Sequence, residues 1–399
     1  MNPGMNRRLL VVARRFWPLS DESCHRLMAW ASVLRDSGIH VTVLTGRWHN
    51  TWPAESKLRE IDVIRLLPAP KNAWNESLFL RNVGLWISQH RMDFDVIYVD
   101  ESGTLLQQVA NKNHTNLIPV IGRFAGFFPL TALDDRIIPA HLSHVFSMKP
   151  ASTAQATEAC RLATRIVVPN AHSERQLRAS GLEPNRIVRI EDVAWNPIER
   201  TEEGRKNAYR ALKQINSDFR VPLETPLLVY IGPLRDDLPS RSFIRAATQL
   251  LEQDRKFRIW MIGLGPGVRA LHELVRDASC HHDILFQSPL DSIEDIIQIA
   301  DGLLCLPSNG GWEYYAEQAM SSGLPVLSAL DNESKASLPR DLQDLMSAEP
   351  TVDGYLAMLC SWLSEYSRWV DIAKKNRQLR IAENQIQSSV DAWLRLLKI

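Results

Sequence analysis

The chain has 399 residues, more than one hydrophobic core of ordinary size organises, so two domains are the default. Apolar residues make up 45%, which excludes a disordered chain, and 46 basic side chains balance 46 acidic ones, so no global charge favours nucleic acid. Apolar runs fall short of the ~20 residues of a membrane span, and 9-LLVVA-13, flanked by Arg7-Arg8 and Arg14-Arg15, is too short for a signal-peptide core; these features predict a cytoplasmic protein.

In chain order, 9-LLVVA-13 fits a strand buried on both faces. The polar turn 17-WPLSDESCH-25 follows, where Ser20 or Asp21 can cap a helix and Asp21 and Glu22 sit near its positive end. The stretch 26-RLMAWASVLRDSG-38 has helical apolar spacing and a glycine stop, and 40-HVTVLT-45 completes a parallel strand–helix–strand unit. Further strands read at 96–99, 117–122 and 166–169, with a Trp/Pro-rich loop region near 46–75.

After the polar, helical stretch 195–214 the pattern restarts. Strands are expected at 227–232, 257–263, 284–287, 302–307 and 324–329, separated by helices at 241–253, 268–278 and 291–300. The stretch 356-LAMLCSWLSEYSRWVDIAKKNRQ-378 is amphipathic, and 388-SSVDAWLRLL-397 suits a helix packing back on the first domain. The expected organisation is α/β: a first Rossmann-like domain over 1–197, a linker over 198–222, a second over 223–380 and a C-terminal helix over 381–399. The two doubly wound domains would face one another across a cleft at the carboxyl ends of their strands.

Charge is uneven along the chain. Residues 1–195 carry about 23 basic and 18 acidic side chains, which admits weak peripheral contact of the first domain with an anionic membrane at the inner face. The five cysteines are scattered and include no Cys-x-x-Cys, a usage that suits free thiols. Cys280-His281-His282 has no second ligand cluster at usable spacing, so no metal site is expected.

Two loops could hold a ligand. Gly263-Leu264-Gly265-Pro266-Gly267 follows a strand but has Val268 where a dinucleotide fingerprint would need its third glycine. The segment 306-LPSNGGWEYYAEQAMSSGLPVLSA-329 runs from strand end through a Gly-rich turn into a helix and the next strand. Its backbone N–H groups at Ser308, Gly310 and Gly311, beside the helix start at Glu313, make a site for an anion or for ribose hydroxyls.

Four segments in order, 226-PLLVYIGPL-234, 258-RIWMIGLGPGVRALHEL-274, 284-ILFQSPLDSIEDIIQIADGLLCLPS-308 and 318-QAMSSGLPVLSA-329, resemble the C-terminal domain of the family 4 glycosyltransferases (glycosyl transferases group 1), which have the GT-B fold. The first domain is similar in 41-VTVLT-45 and in 163-ATRIVVPNAHSERQLRASGLEPNRIVRIED-192, so the resemblance covers roughly residues 7–395.

The donor-site motifs depart from the family pattern. The family has two glutamates around the nucleotide-sugar, with seven residues between them; Gln318 stands at the second position, and Gly310, or Gly311 with a one-residue deletion, at the first. Glu313 and Glu317 share a helix face, about 100° per residue away from position 318. The phosphate-binding arginine and lysine are replaced by Pro233 and Leu238, leaving Arg235 and Arg241 as a substitute clamp. A Gly-Gly loop expected near the first helix reads Asp21-Glu22, and an Asn-Gly near the end of the first domain reads Glu191-Asp192.

The resemblance implies transfer of a sugar from a nucleotide-diphosphate donor to an unknown glycan or lipid-linked acceptor, with retention of anomeric configuration, no metal and no cofactor beyond the donor itself. Arg235, Arg241 and Gln318 would do the chemistry. Gly232, Gly263, Gly265, Pro266, Ser308, Gly310, Gly311, Glu313 and Glu317 would line the donor, and Asp21, Glu22 and His25 the acceptor side. Each preorganised donor missing from a leaving diphosphate costs about 2.7–4 kcal/mol. Two rivals therefore stand: a GT-B chain that binds a nucleotide, glycan or partner without turnover, and a nicotinamide-dependent oxidoreductase on another doubly wound fold.

Overall fold

The computed structural model describes residues 7–113, 118–125, 153–219, 221–222, 224–253, 256–290, 292–306, 313–329, 349–382 and 385–398. By backbone contacts the chain forms two units. One comprises Met1–Leu19, Ser23–Trp195 and Ile386–Ile399; the other comprises Ser20–Glu22 and Asn196–Gln385.

The first unit holds β1 (Arg8–Val12), α1 (Glu22–Asp36), β2 (His40–Gly46), β3 (Glu55–Leu58), β4 (Ile61–Leu66), α2 (Ala73–His90), β5 (Val96–Val99), α3 (Thr104–Asn113), β6 (Val120–Arg123), α4 (Thr153–Leu162), β7 (Arg165–Val168), α5 (Ala171–Ala179) and β8 (Ile187–Arg189). Its eight-stranded sheet runs in the order β3-β4-β2-β1-β5-β6-β7-β8 and is parallel except for β3 against β4. The central strands read as near-continuous apolar runs because both faces are covered, as Leu9 to Val12 and Val96 to Val99 show.

The second unit holds α6 (Glu202–Ile215), β9 (Leu227–Ile231), α7 (Leu238–Glu252), β10 (Arg258–Ile262), α8 (Val268–Asp277), β11 (Ile284–Gln287), α9 (Glu294–Ile299), β12 (Gly302–Cys305), α10 (Glu313–Ser321), β13 (Val326–Ser328), α11 (Val352–Ser364) and α12 (Tyr366–Ala382). Its five-stranded sheet is parallel, in the order β11-β10-β9-β12-β13. A core of Phe243, Phe257, Tyr355 and Trp362 lies beneath α7 and α11.

Two sequence expectations need correction, and a third is refined. The region near 46–75 is not only loop, since it contains the hairpin β3–β4. Residues 198–222 do not form a bare linker: α6, capped by Thr201, packs against α9 within the second unit, and Arg205 pairs with Asp301 at 2.8 Å. The amphipathic stretch 356–378 is two helices, α11 and α12, broken at Glu365 (φ −118°, ψ 34°). The last helix, α13 (Gln385–Leu396), places Trp393 against Trp30 and Tyr98 of the first unit, with ring centroids 4.8 and 5.4 Å apart. No helix among the described residues is long and apolar enough to cross a membrane.

Candidate functional site

In an open parallel sheet the ligand crevice lies at the carboxyl ends of the two strands where the chain reverses its direction of winding. In the second unit these strands are β9 and β12, neighbours in the sheet but separated in sequence by β10 and β11. The loops that follow them are Gly232–Asp237, which carries Arg235, and the segment beginning at Leu306, one of the two ligand loops expected from sequence; the other, Gly263–Gly267, follows β10.

The loop after β9 ends at Asp237. Asp237 caps α7, its Oδ1 accepting from Ser240 N at 3.0 Å, and Leu238 and Pro239 form the helix's first turn. Positions 238 and 239 are therefore helix, and the loop proper is six residues.

That loop is held by the glycines of the next one. Gly232 N donates to Ile262 O, Leu234 N to Leu264 O and Gly267 N to Leu234 O, each at 3.0 Å. A Cβ at Gly263 would collide with the Gly232 carbonyl oxygen, one at Gly265 with the Leu234 carbonyl oxygen, and one at Gly267 with the backbone of Arg235 and Asp236. Gly263 and Gly265 thus admit another stretch of backbone, which is a different use from the ligand approach expected of them; Pro266 is exposed beside them.

Arg235 leaves this clamped loop half-buried. Its Nη2 is buried and has no hydrogen-bond partner among the described residues. Arg241 is differently placed: exposed on the first turns of α7, it makes a two-pronged pair with Asp236 at 2.5 and 2.8 Å. The bond to Arg241 lowers the Asp236 carboxyl below the ordinary range. Of the two arginines expected as a substitute clamp, Arg241 is thus paired with Asp236, and Arg235 has an Nη2 without a partner among the described residues.

On the other side of the switch point, Ser308, Gly310 and Gly311 lie outside the described residues, as does the side chain of Glu313, whose backbone opens α10. Further along α10, Glu317 is taken by Arg380 of α12, with Nε–Oε2 and Nη2–Oε1 distances both 3.0 Å. Both of its carboxylate oxygens are thus engaged within the second unit. Gln318, 3% exposed, donates from Nε2 to Asn196 O at 3.1 Å, while its Oε1 is buried without a partner among the described residues. One turn position separates a structural acid from a polar acceptor still available.

The first unit has its own switch point, between β1 and β5. Here sequence reasoning missed most of what is present. Arg14 binds Glu101 and Glu76, both at 2.5 Å, and its Nη2 donates to Thr104 Oγ1. Arg26 Nη2 bonds both oxygens of Asp100 at 2.7 and 2.8 Å, and Tyr98 OH donates to the same carboxylate at 2.9 Å. Arg123, at the end of β6, pairs with Asp192 beyond β8. Burial opposes the charge on Arg14, but Glu101 and Glu76 more than offset it and raise its pKa. Burial pushes the Tyr98 hydroxyl well up, with Asp100 adding to it. Arg15 lies over the Trp48 ring, 4.7 Å from its centroid.

The signal for this cluster was Arg14-Arg15 at a strand's carboxyl end, read only as the close of an apolar run. Of the expected acceptor-side residues, Asp21 and Glu22 are partly buried at the start of α1, and His25, one turn in, is half-buried beside the buried Arg26. Among the described residues no group of three His, Cys, Asp or Glu side chains could hold a metal.

No family model matches the chain. The D-inositol 3-phosphate glycosyltransferase of Corynebacterium aurimucosum is 30% identical over 129 residues, 30% of this chain and 30% of that protein, so the likeness spans under a third of the curated relative. Among solved structures, sucrose-phosphate synthase from Thermosynechococcus elongatus superposes with a TM-score of 0.71 at 13% identity, covering 98% of this chain and 99% of the other. HepE from Anabaena, solved in complex with UDP and glucose, gives 0.68 at 13% identity over 98% and 99%. The chain has the GT-B architecture of these structures, with two parallel-sheet Rossmann-like domains.

Proposed function

We propose that the protein is a glycosyltransferase that moves a sugar from a nucleotide-diphosphate donor held on the second unit to a glycan or lipid-linked acceptor, with retention of configuration and without a metal. The observation that supports the reading is a polar atom without a partner among the described residues on each of the two segments that follow the switch-point strands. Arg235 Nη2 follows β9, and Gln318 Oε1 follows β12. A guanidinium supplies charge-assisted donors to a diphosphate, and an amide oxygen accepts from a ribose hydroxyl.

In this reading the sugar–phosphate bond breaks as negative charge gathers on the departing diphosphate. Arg235 and the N-terminus of α10 stabilise that charge, and positioning supplies the rest of the rate. The Gly263–Gly267 loop holds Arg235 in place through backbone contacts, so the donor meets a preformed site. Peripheral contact of the first unit with a membrane belongs to the same proposal, as the route to a lipid-linked acceptor. UDP-glucose is the first donor to try, because HepE was solved with UDP and glucose.

The rival reading, binding without turnover, is favoured by the pairing of Arg241 with Asp236, which removes one of the two cations available to a leaving group. One experiment separates them. The purified protein is screened by thermal shift against UDP, GDP, ADP, their sugars and NAD, and each stabilising nucleotide-sugar is followed for release of nucleotide. A ligand at one hundred times its Kd stabilises by about 2.7 kcal/mol. Slow release of UDP supports the transferase, stabilisation without release supports the binding protein, and a response to NAD alone overturns both. Adding a chelator to the release assay, and following the anomeric proton of the product by NMR, test metal independence and retention.

A further inference from the structure

Helix α2 is apolar on two opposite faces. Phe79, Val83 and Ile87 point into the core of the first unit, as an amphipathic helix requires. At 100° per residue the opposite face is centred on Trp74, Leu78, Arg81 and Leu85. On a solvated helix this face would be charged throughout. Instead Trp74 is 73% exposed and Leu85 49%, and Met92, in the 3-10 turn Arg91–Asp93 that prolongs the helix, is 79% exposed. Leu67, 47% exposed, is brought alongside by Asn82, whose Nδ2 donates to the Leu67 carbonyl at 2.7 Å.

The charges along the stripe itself are mostly positive, while Glu55, Asp62 and Asp93 line a cleft with Trp86 and His90 on another flank of the helix. Lys71 stands at its start, Arg81 within it and Arg91 at its end, while Lys112 of α3 lies against Gly84 on its flank. Of the nearby acids, Glu76 is turned inward to Arg14 and Thr104, and Asp95 is bonded to the Arg8 backbone and side chain; Asp93 is exposed. A row of a tryptophan and long aliphatic side chains, about 16 Å from Trp74 to Leu85 and flanked by lysine and arginine, matches an anionic lipid surface: the apolar side chains enter the headgroup boundary and the cations meet phosphate. A flat protein partner would not require the cations, and a second copy would bring the same positive charges together.

We propose that the outer face of α2 docks the first unit on an anionic membrane surface. This deepens the proposed function by naming the contact surface, and rests on it only for the nature of the acceptor. The first turn of the docking helix also supplies Glu76 to the Arg14 cluster at the carboxyl edge of the sheet, so docking brings that edge to the lipid. A lipid-linked acceptor is the class that such an arrangement serves.

The test is co-flotation of the full chain with vesicles of phosphatidylglycerol and phosphatidylcholine, or phosphatidylcholine alone, at low and high salt. The expected result is partitioning onto the anionic vesicles that falls with salt and is at least about tenfold weaker on the neutral ones. Arg81→Glu should weaken it by about thirtyfold, from two charge units at the surface. Trp74→Ser with Leu85→Ser should abolish it, while the melting temperature and the response to UDP stay as in the parent. Because the substituted side chains are exposed, the variants retain the core that folds the unit.

Absence of binding to anionic vesicles at low salt overturns the proposal, as does binding unchanged by the Trp74/Leu85 variant. Concentration-dependent self-association that the same variant removes would instead assign the stripe to a second copy. Nucleotide release is measured separately, so failure on the vesicles and failure of the transferase reading are distinguishable.

Discussion

Position 318 carries an amide where the family resemblance leads one to expect a carboxylate, and its surroundings supply a reason. The Gln318 Nε2 donates to the Asn196 carbonyl, a bond no ionised carboxylate can make. Gln318→Glu should therefore lower stability by about 1–3 kcal/mol, seen as a fall in melting temperature, and weaken nucleotide binding. The family resemblance marked position 318, but it could not reveal that Glu317 belongs to Arg380, because that partner lies 63 residues away in sequence. For the same reason the two arginines separate: Arg235→Ala should weaken UDP about tenfold to a hundredfold by calorimetry, whereas Arg241→Ala, losing only its pair with Asp236, should change it by less than about twofold. Equal losses would put Arg241 on the diphosphate. In the first unit, burial raises the cost of ionising Asp192, but Arg123, with Arg26 behind it, holds its carboxyl below the ordinary range. A carboxyl lowered in the folded state contributes stability that is complete above its unfolded value, about 3.9, and is lost as pH falls through the folded one. Denaturation of Asp192→Asn should lack that acid-side decline below about pH 4, while being weaker at neutral pH because Arg123 is left buried without its partner.

Elements were legible where one rule dominated. Buried parallel strands such as β1 and β5 stand out as apolar runs bounded by polar turns, and β5 occupies the range the pattern indicates. The hairpin β3–β4 was hidden because β4 buries Arg65 and leaves Ile64 and Leu66 partly exposed, so its polarity does not follow its burial, and because its tight turn uses Arg59 and Glu60 at φ 46° and 63° instead of the usual glycine or asparagine. The break between α11 and α12 carries neither glycine nor proline and was hidden in the same way. At the site, the Gly-rich loop was visible as a motif but not as a joint, since its partner backbone lies a strand away. That joint makes a prediction for the element as a unit. Gly265→Ala would set a Cβ against the Leu234 carbonyl, forcing the two loops apart. The expected cost is about 1–3 kcal/mol of stability, together with loss of the UDP thermal shift, although position 265 itself need not touch the nucleotide. A variant that melts lower yet keeps its UDP response would show that Arg235 does not depend on the joint.

At the scale of the whole chain, the repeated strand–helix plan announced two Rossmann-like units, because each strand–helix–strand crossover is a local pattern. The polar, strongly periodic α6 read as a connection because its apolar stripe is narrow; only Ala208 and Leu212 are buried. What no local pattern could show is how charged side chains from distant segments meet, and both switch points are built that way. Each unit nonetheless has its own apolar core, and the chain leaves the first, builds the second and returns through α13. The return is fastened at both ends of the helix's contact: Trp393 sits against Trp30 and Tyr98, and the Arg7 guanidinium donates to the carbonyls of Leu397 and Lys398. Trp393→Ala removes a buried indole with two aromatic neighbours, a loss of about 3–5 kcal/mol that falls on the first unit's core. Calorimetry of the full-length variant should then show the first unit melting at lower temperature while the transition raised by UDP keeps its position. If the UDP-responsive transition falls by the same amount, α13 stabilises both cores, and the proposed assignment of the donor to the second unit loses this support.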